Sequence, residues 1–140
     1  MRNWNRYDEL IRKEVKRVIF EARSRYGCKS LLLPMQPSRD TELCKQVAKG
    51  TDAVVLEQLE AEEVLGLMKH SGAVIGMRLH ALIYATAAGA PTVGIVYDPK
   101  VEGYLRYLGS EDYLSVAKTD CNELFRLVSK ARESKQKFCL

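Results

Sequence analysis

No pair of cysteines in this chain falls in a Cys-x-x-Cys motif, and its only two histidines, His70 and His80, stand apart from zinc-finger or ribbon spacing. The four thiols, at Cys28, Cys44, Cys121 and Cys139, are therefore read as free cysteines of a reducing compartment, not as metal ligands or a disulfide framework. No metal and no cofactor is expected. The sequence also lacks a basic-then-apolar leader and any apolar run of about 18 residues, which argues against a membrane span and points to a cytoplasmic protein. Internal repeats, low-complexity tracts and a linker rich in Pro, Gly or Ser are missing as well, so residues 1–140 are expected to form a single domain with one core.

Charge of one sign is only mildly in excess, with 22 Lys and Arg against 18 Asp and Glu. The basic residues gather at the two ends: Arg2, Arg6, Arg12, Lys13, Lys16 and Arg17 in the first helix region, Lys130, Arg132, Lys135 and Lys137 in the tail. Aromatics are sparse and do not interleave with them, so nucleic acid is not an expected partner. The basic ends read as solvated faces, with peripheral contact at the inner face of an anionic membrane as the one further association such charge suggests.

What the sequence does contain is an alternation of two patterns. Leu10, Ile11, Val15, Val18, Ile19 and Ala22 recur at the three-and-four spacing of an amphipathic helix over 7–26, stopped by Gly27. A short apolar run, Ser30 to Leu33, follows and is closed by Pro34, as a strand buried on both faces would be. Further helices are predicted over 40–48, 61–69, 79–88 and 101–108, and further strands over 53–56, 73–76, 91–97 and 113–116. Asp120 with Glu123 resembles a capping box that opens a last helix to about Arg132, with 133–140 as a polar, frayed tail. Strands alternating with helices at this pitch predict an α/β domain: a Rossmann-like parallel sheet with helices on both faces. The chain opens on a helix-bearing half, and Met1 to Trp4 look like the tail of a strand, so a fragment of a longer protein is expected.

In such sheets ligands bind beyond the carboxyl ends of the strands, where a helix N-terminus offers N–H donors and partial positive charge. The turn Gly76-Met77-Arg78-Leu79-His80 lies at such a place. Gly76 permits close backbone approach, Arg78 can grip a carboxylate or phosphate with its fork, and His80 can exchange a proton near neutral pH. Residues two apart on a helix diverge, so Arg78 must sit in the turn for both to reach one ligand.

The string Ser71-Gly-Ala-Val-Ile-Gly-Met-Arg-Leu-His-Ala-Leu-Ile-Tyr-Ala, followed by Gly89-Ala-Pro and Gly94-Ile-Val-Tyr-Asp-Pro-Lys, resembles the polysaccharide pyruvyl transferase family. The likeness is specific over 71–108 and collinear elsewhere, with Arg2-Asn3-Trp4 similar to an Arg-x-Trp crossover and Leu33-Pro34, Gln36 and Asp40 fitting the next strand and helix. The resemblance implies the C-terminal half of a two-domain fold similar to GT-B glycosyltransferases, with the active site between the halves. It implies transfer of pyruvate from phosphoenolpyruvate, the donor substrate, to two hydroxyls of a hexose in a cell-wall or other cell-surface polysaccharide or its lipid-linked precursor, forming a cyclic ketal and releasing phosphate. Arg78 and His80 would then be catalytic and substrate-binding residues, with Gly76, Met77, Arg2, Asp98 and Lys100 also against the substrates. The isolated chain is expected to be inactive without the other wall of the cleft.

Two other readings remain open on sequence. One is a GT-B glycosyltransferase or sugar-nucleotide epimerase domain, for which Glu102 could hold a ribose, although no Gly-x-Gly-x-x-Gly turn is present. The other is a non-catalytic truncated binding domain. Asp40 and Asp98 serve equally as helix caps, Tyr84 as a stacking partner of His80 or as core, and His70 as an exposed residue at a helix C-terminus.

Overall fold

Each predicted apolar run becomes a parallel strand and each three-and-four pattern a helix. The computed structural model describes residues 7–138, with side chains described as far as Glu133. Helix α1 (Asp8–Tyr26) stops where Gly27 takes φ 65°, a left-handed conformation in which its N–H returns to the Arg23 carbonyl at 3.0 Å. The chain continues through β1 (Leu31–Leu32), α2 (Pro37–Ala48), β2 (Val54–Val55), α3 (Ala61–Lys69), β3 (Val74–Gly76) and α4 (Leu79–Ala88). Then follow β4 (Thr92–Val96), α5 (Pro99–Tyr107), β5 (Tyr113–Ser115), a short 3-10 turn and α6 (Cys121–Phe138).

All strand pairs are parallel: β1 pairs with β2, and β3, β4 and β5 pair in that order. Helix α1 packs on α2 and α6 over one side, while α3 and α4 pack together on the other. This is the Rossmann-like α/β architecture expected of the alternation. On the α1 side, Ile11, Val93, Ile95, Leu124 and Leu127 form the main core. On the other, Val64, Met68, Ala81 and Ala85 make one cluster and Leu82, Val101 and Leu105 a second. Gly76 and Gly94 are register partners on β3 and β4. A Cβ at either would lie 2.9 Å from a leucine methyl, of Leu82 and Leu105 respectively, so both glycines let α4 and α5 seat closely on the sheet.

Three boundaries differ from the sequence expectation. Helices α2 and α5 begin at Pro37 and Pro99, not at Asp40 and Val101, because proline at the first helical position has a suitable φ and no N–H to satisfy. Helix α6 runs past Arg132 through most of the expected frayed tail to Phe138. Residues 133–137 are mostly good helix formers with no Gly or Pro to stop them. The Asp120 cap is present, its carboxylate accepting from the Glu123 N–H at 2.9 Å.

One buried charge ties the two ends of the domain together. Glu14, 4% exposed in α1, accepts from the Cys121 N–H at the start of α6 at 2.9 Å and from Arg17 at 3.0 Å. A carboxylate there satisfies an orphan donor and favours the positive end of α6. Replacing Glu14 by Ala leaves that donor unsatisfied and should cost about 2 kcal/mol, read as a lowered urea midpoint at unchanged slope. Glu14→Gln keeps an acceptor for Cys121 and should cost less; equal losses from both would remove the cap from this account.

Candidate anion-binding site

The carboxyl ends of three strands converge on one guanidinium. Arg78 follows β3 and is the N-cap of α4, with extended dihedrals of φ −93° and ψ 140°, so it occupies the turn and not the helix, as the two-residue spacing from His80 requires. Asp40 arrives from the first turns of α2, after β1, and Tyr97 from the residue after β4. The Arg78 Nε and Nη2 donate to the two oxygens of Asp40 at 3.1 Å and 2.5 Å, and Nη1 donates to the Tyr97 hydroxyl at 3.4 Å. The guanidinium carbon lies 6.0 Å from the Tyr97 ring centroid, the outer range of a cation–π contact.

Arg78 and Asp40 are 12% and 14% exposed at their side chains, so this ion pair is largely removed from water. Burial alone opposes the charge on Arg78; the Asp40 carboxylate more than offsets it and holds the guanidinium above its ordinary pKa. Asp40 is itself fixed, since its Oδ2 also accepts from the Gln36 N–H at 3.1 Å. A fork of this kind fits any carboxylate or phosphate, so Asp40 holds Arg78 in the pose with which it would meet an anionic ligand, and competes with that ligand for it.

The other sequence candidates divide. Met77 and Gly76 border the same cavity as Arg78, although the close approach that Gly76 permits is to Leu82. His80 stands in the first turn of α4 with its side chain exposed, and among the described residues no hydrogen bond or ion pair joins it to the Arg78 group. Asp98 caps α5, accepting from the Lys100 N–H at 2.8 Å, and Lys100 is exposed. Glu102, the ribose candidate of the glycosyltransferase reading, instead accepts from the Tyr113 hydroxyl at 3.3 Å and pairs with Arg106 at 3.4 Å. Tyr84 packs beside Val64, Met68, Ala81 and Ala85 as core, and His70 is exposed at the C-cap of α3. Arg2 lies outside the described residues. Sequence reasoning missed the role of Tyr97 and the pairing of Asp40 with Arg78, which are 38 residues apart. The signal that finds them is shared position: each follows the carboxyl end of a parallel strand.

The group borders a cavity of about 1430 Å³ that is lined also by apolar residues of β1, β3, α1 and α3 and by polar ones such as Glu63, His70 and Arg132. Among the described residues no cluster of three His, Cys, Asp or Glu could hold a metal ion, and no helix is long and apolar enough to cross a membrane.

A family model described as polysaccharide pyruvyl transferase matches residues 2–99, which takes in every residue of the Arg78 group and stops before Lys100. No curated protein and no solved structure matches.

Cys44 lies one turn beyond Asp40 and reports on this environment. Burial first, then the carboxylates of Asp40 and Glu57, push its thiol up to about 11. At pH 8 the exposed Cys28 should be alkylated at least about tenfold faster than Cys44, read by mass spectrometry of the native protein. Because the folded thiol keeps its proton to higher pH than the unfolded one, Cys44 contributes stability that is complete below about pH 9 and is lost as pH rises toward 11. Equal alkylation rates at Cys28 and Cys44 would contradict this placement.

Proposed function

The chain belongs to the polysaccharide pyruvyl transferase family, and on that premise we propose that it supplies the phosphoenolpyruvate-binding half of a ketal-forming pyruvyl transferase. The acceptor on this reading is a hexose of a cell-surface polysaccharide or its lipid-linked precursor. The observation that carries the reading is Arg78: a desolvated, forked cation at the N-terminus of a helix, beyond the carboxyl end of a parallel strand. A small dianion bearing both carboxylate and phosphate suits it.

The chemistry divides into an addition and a displacement. Protonation of the methylene carbon of phosphoenolpyruvate leaves a cationic centre on the neighbouring carbon, which one sugar hydroxyl attacks with loss of its proton. The phosphate then leaves with the C–O electron pair, and a second hydroxyl closes the ketal on the resulting cation, giving up its proton to the general base. Arg78 holds the phosphate or carboxylate and favours departure of the anion, and His80, exposed on the first turn of α4, is the acid that delivers the proton. Asp98 and Lys100 stand at the start of α5, just beyond β4, where Lys100 can meet donor or acceptor while Asp98 keeps its place as a cap. Arg2 is assigned to the substrates by family resemblance alone. The general base and the other wall of the cleft belong to a second half with a GT-B-like relation to this one, so the chain alone binds donor without turning it over.

Calorimetric titration with phosphoenolpyruvate tests this. Saturable binding is expected, weakened about 10-fold to 100-fold by Arg78→Ala, since a charge-assisted fork contributes about 1.5–3 kcal/mol. Arg78→Lys, which keeps the charge and loses the fork, should recover only part of it. His80→Ala should weaken binding less. Tighter binding of a sugar nucleotide than of phosphoenolpyruvate would overturn the proposal in favour of a glycosyltransferase.

A further inference from the structure

Helix α1 buries one side and shows an unusual surface on the other. Ile11 and Ile19 are each 2% exposed, and Val15 and Val18 pack against the core that holds Ile11. Phe20 follows Ile11 by about two and a half turns and therefore projects from the opposite side, where it is 51% exposed. A single exposed apolar residue is ordinary. Its surroundings are what set this one apart.

Lys13, Lys16, Arg17 and Arg23 lie three, four or seven positions from Phe20, which places all of them on its side of the helix. Helix α2 runs alongside in the same direction, with Arg12 donating to the Gln46 side chain at 3.2 Å and Lys16 to the Lys49 carbonyl at 2.8 Å. It adds Lys45 and Lys49, both exposed. Several acids of this layer are already engaged: Glu14 is turned inward onto the Cys121 N–H, Glu21 pairs with Arg25 at 2.6 Å and Asp52 with Arg23 at 3.4 Å. Glu9, one turn before Lys13, and Glu42 of α2 are exposed, and the balance of the layer stays positive. Across the sheet the sign reverses. There α3 and the loop before it expose Glu57, Glu60, Glu62 and Glu63 beside Lys69.

We propose that α1 and the end of α2 form a membrane-docking face, on which α1 lies flat against an anionic lipid bilayer with Phe20 entering the boundary between headgroups and acyl chains. A bulky apolar side chain ringed by long cationic ones suits that boundary, because the charges stay among the headgroups while the methylene stems and the ring sink below them. Nucleic acid would call for a row of aromatics on which successive bases stack, and Phe20 stands alone on this stripe. The acidic α3 side is repelled by the same surface, so the domain meets it in one orientation. The inference rests on neither the donor nor the acceptor of the proposed reaction.

Flotation of the 140-residue chain with vesicles of phosphatidylglycerol and phosphatidylcholine in equal parts, against phosphatidylcholine alone, tests this. Binding is expected to the anionic vesicles alone, weakened at least about tenfold as salt rises from about 0.1 M to about 0.5 M. Phe20→Ala should weaken it about tenfold and Lys13→Gln about fivefold. Both positions are exposed, so the urea midpoint should stay in place. In a Trp4→Phe background, Phe20→Trp should shift its emission to the blue on anionic vesicles and be quenched by brominated acyl chains. A tryptophan that stays in water while the protein binds would overturn the proposal. So would absence of binding, equal binding to neutral vesicles, or binding unchanged by Phe20→Ala and Lys13→Gln. Tighter binding of a single-stranded oligonucleotide, weakened by Phe20→Ala, would assign the face to nucleic acid and overturn it as well. Vesicle binding requires no phosphoenolpyruvate, so failure here and failure of the proposed activity are separable.

Discussion

A parallel sheet has to be buried on both faces, and nearly everything in this domain follows from that constraint. Its strands are short apolar runs without alternation, and the central one, β4, is buried through its middle residues, while Leu31 of β1 is exposed, contrary to the doubly buried strand expected there. Its connections are helices, because a parallel neighbour can be reached only by crossing over the sheet. The two glycines facing each other on β3 and β4 answer the same demand, allowing α4 and α5 to come close enough that Leu82 and Leu105 pack against backbone. The ligand-facing edge is a by-product of this arrangement. All the strands point one way, so the loops after β1, β3 and β4 gather at one end, and Asp40, Arg78 and Tyr97 meet there.

The Arg78 and Asp40 pair is costly to bury and is therefore unlike the surface ion pairs elsewhere in the chain. Arg25 with Glu21 and Arg126 with Glu123 are exposed pairs within single helices, screened by water and salt. Arg78 and Asp40 bridge two separate loops and are mostly out of water, where leaving either charge alone would be severely unfavourable. Such a pair fixes geometry more than it adds stability. It also holds the guanidinium inward, where a lone arginine would turn outward to solvent.

Most of the fold was legible in the sequence because the signals that set it are local. Apolar runs bounded by Gly27, Pro34, Gly50 and Gly89 gave the strands and helices nearly in place. The prolines that open α2 and α5 were local signals too, read too late by two or three residues because the first apolar side chains lie further in. The Arg78 turn was also visible, through its place after a strand and its family resemblance. The partners of Arg78 were not, because pairing across 38 residues leaves no spacing to read and depends on which strand ends become neighbours. The grouping of the described strands into β1-β2 and β3-β4-β5 was hidden for a related reason: sequence shows that strands exist, while their lateral order is a property of the assembled sheet.

The contact between Glu14 and the start of α6 joins positions 107 residues apart. Among the described elements, α1 is made before every strand, and α6, which packs on it, after all of them. Until α6 is in place the face bearing Ile11 lacks its cover, and uncovered apolar surface of this kind favours aggregation. The core around Ile11 is thus closed by α6, and the docking of these two distant helices, not the earlier pairing of strands, is the step that completes it.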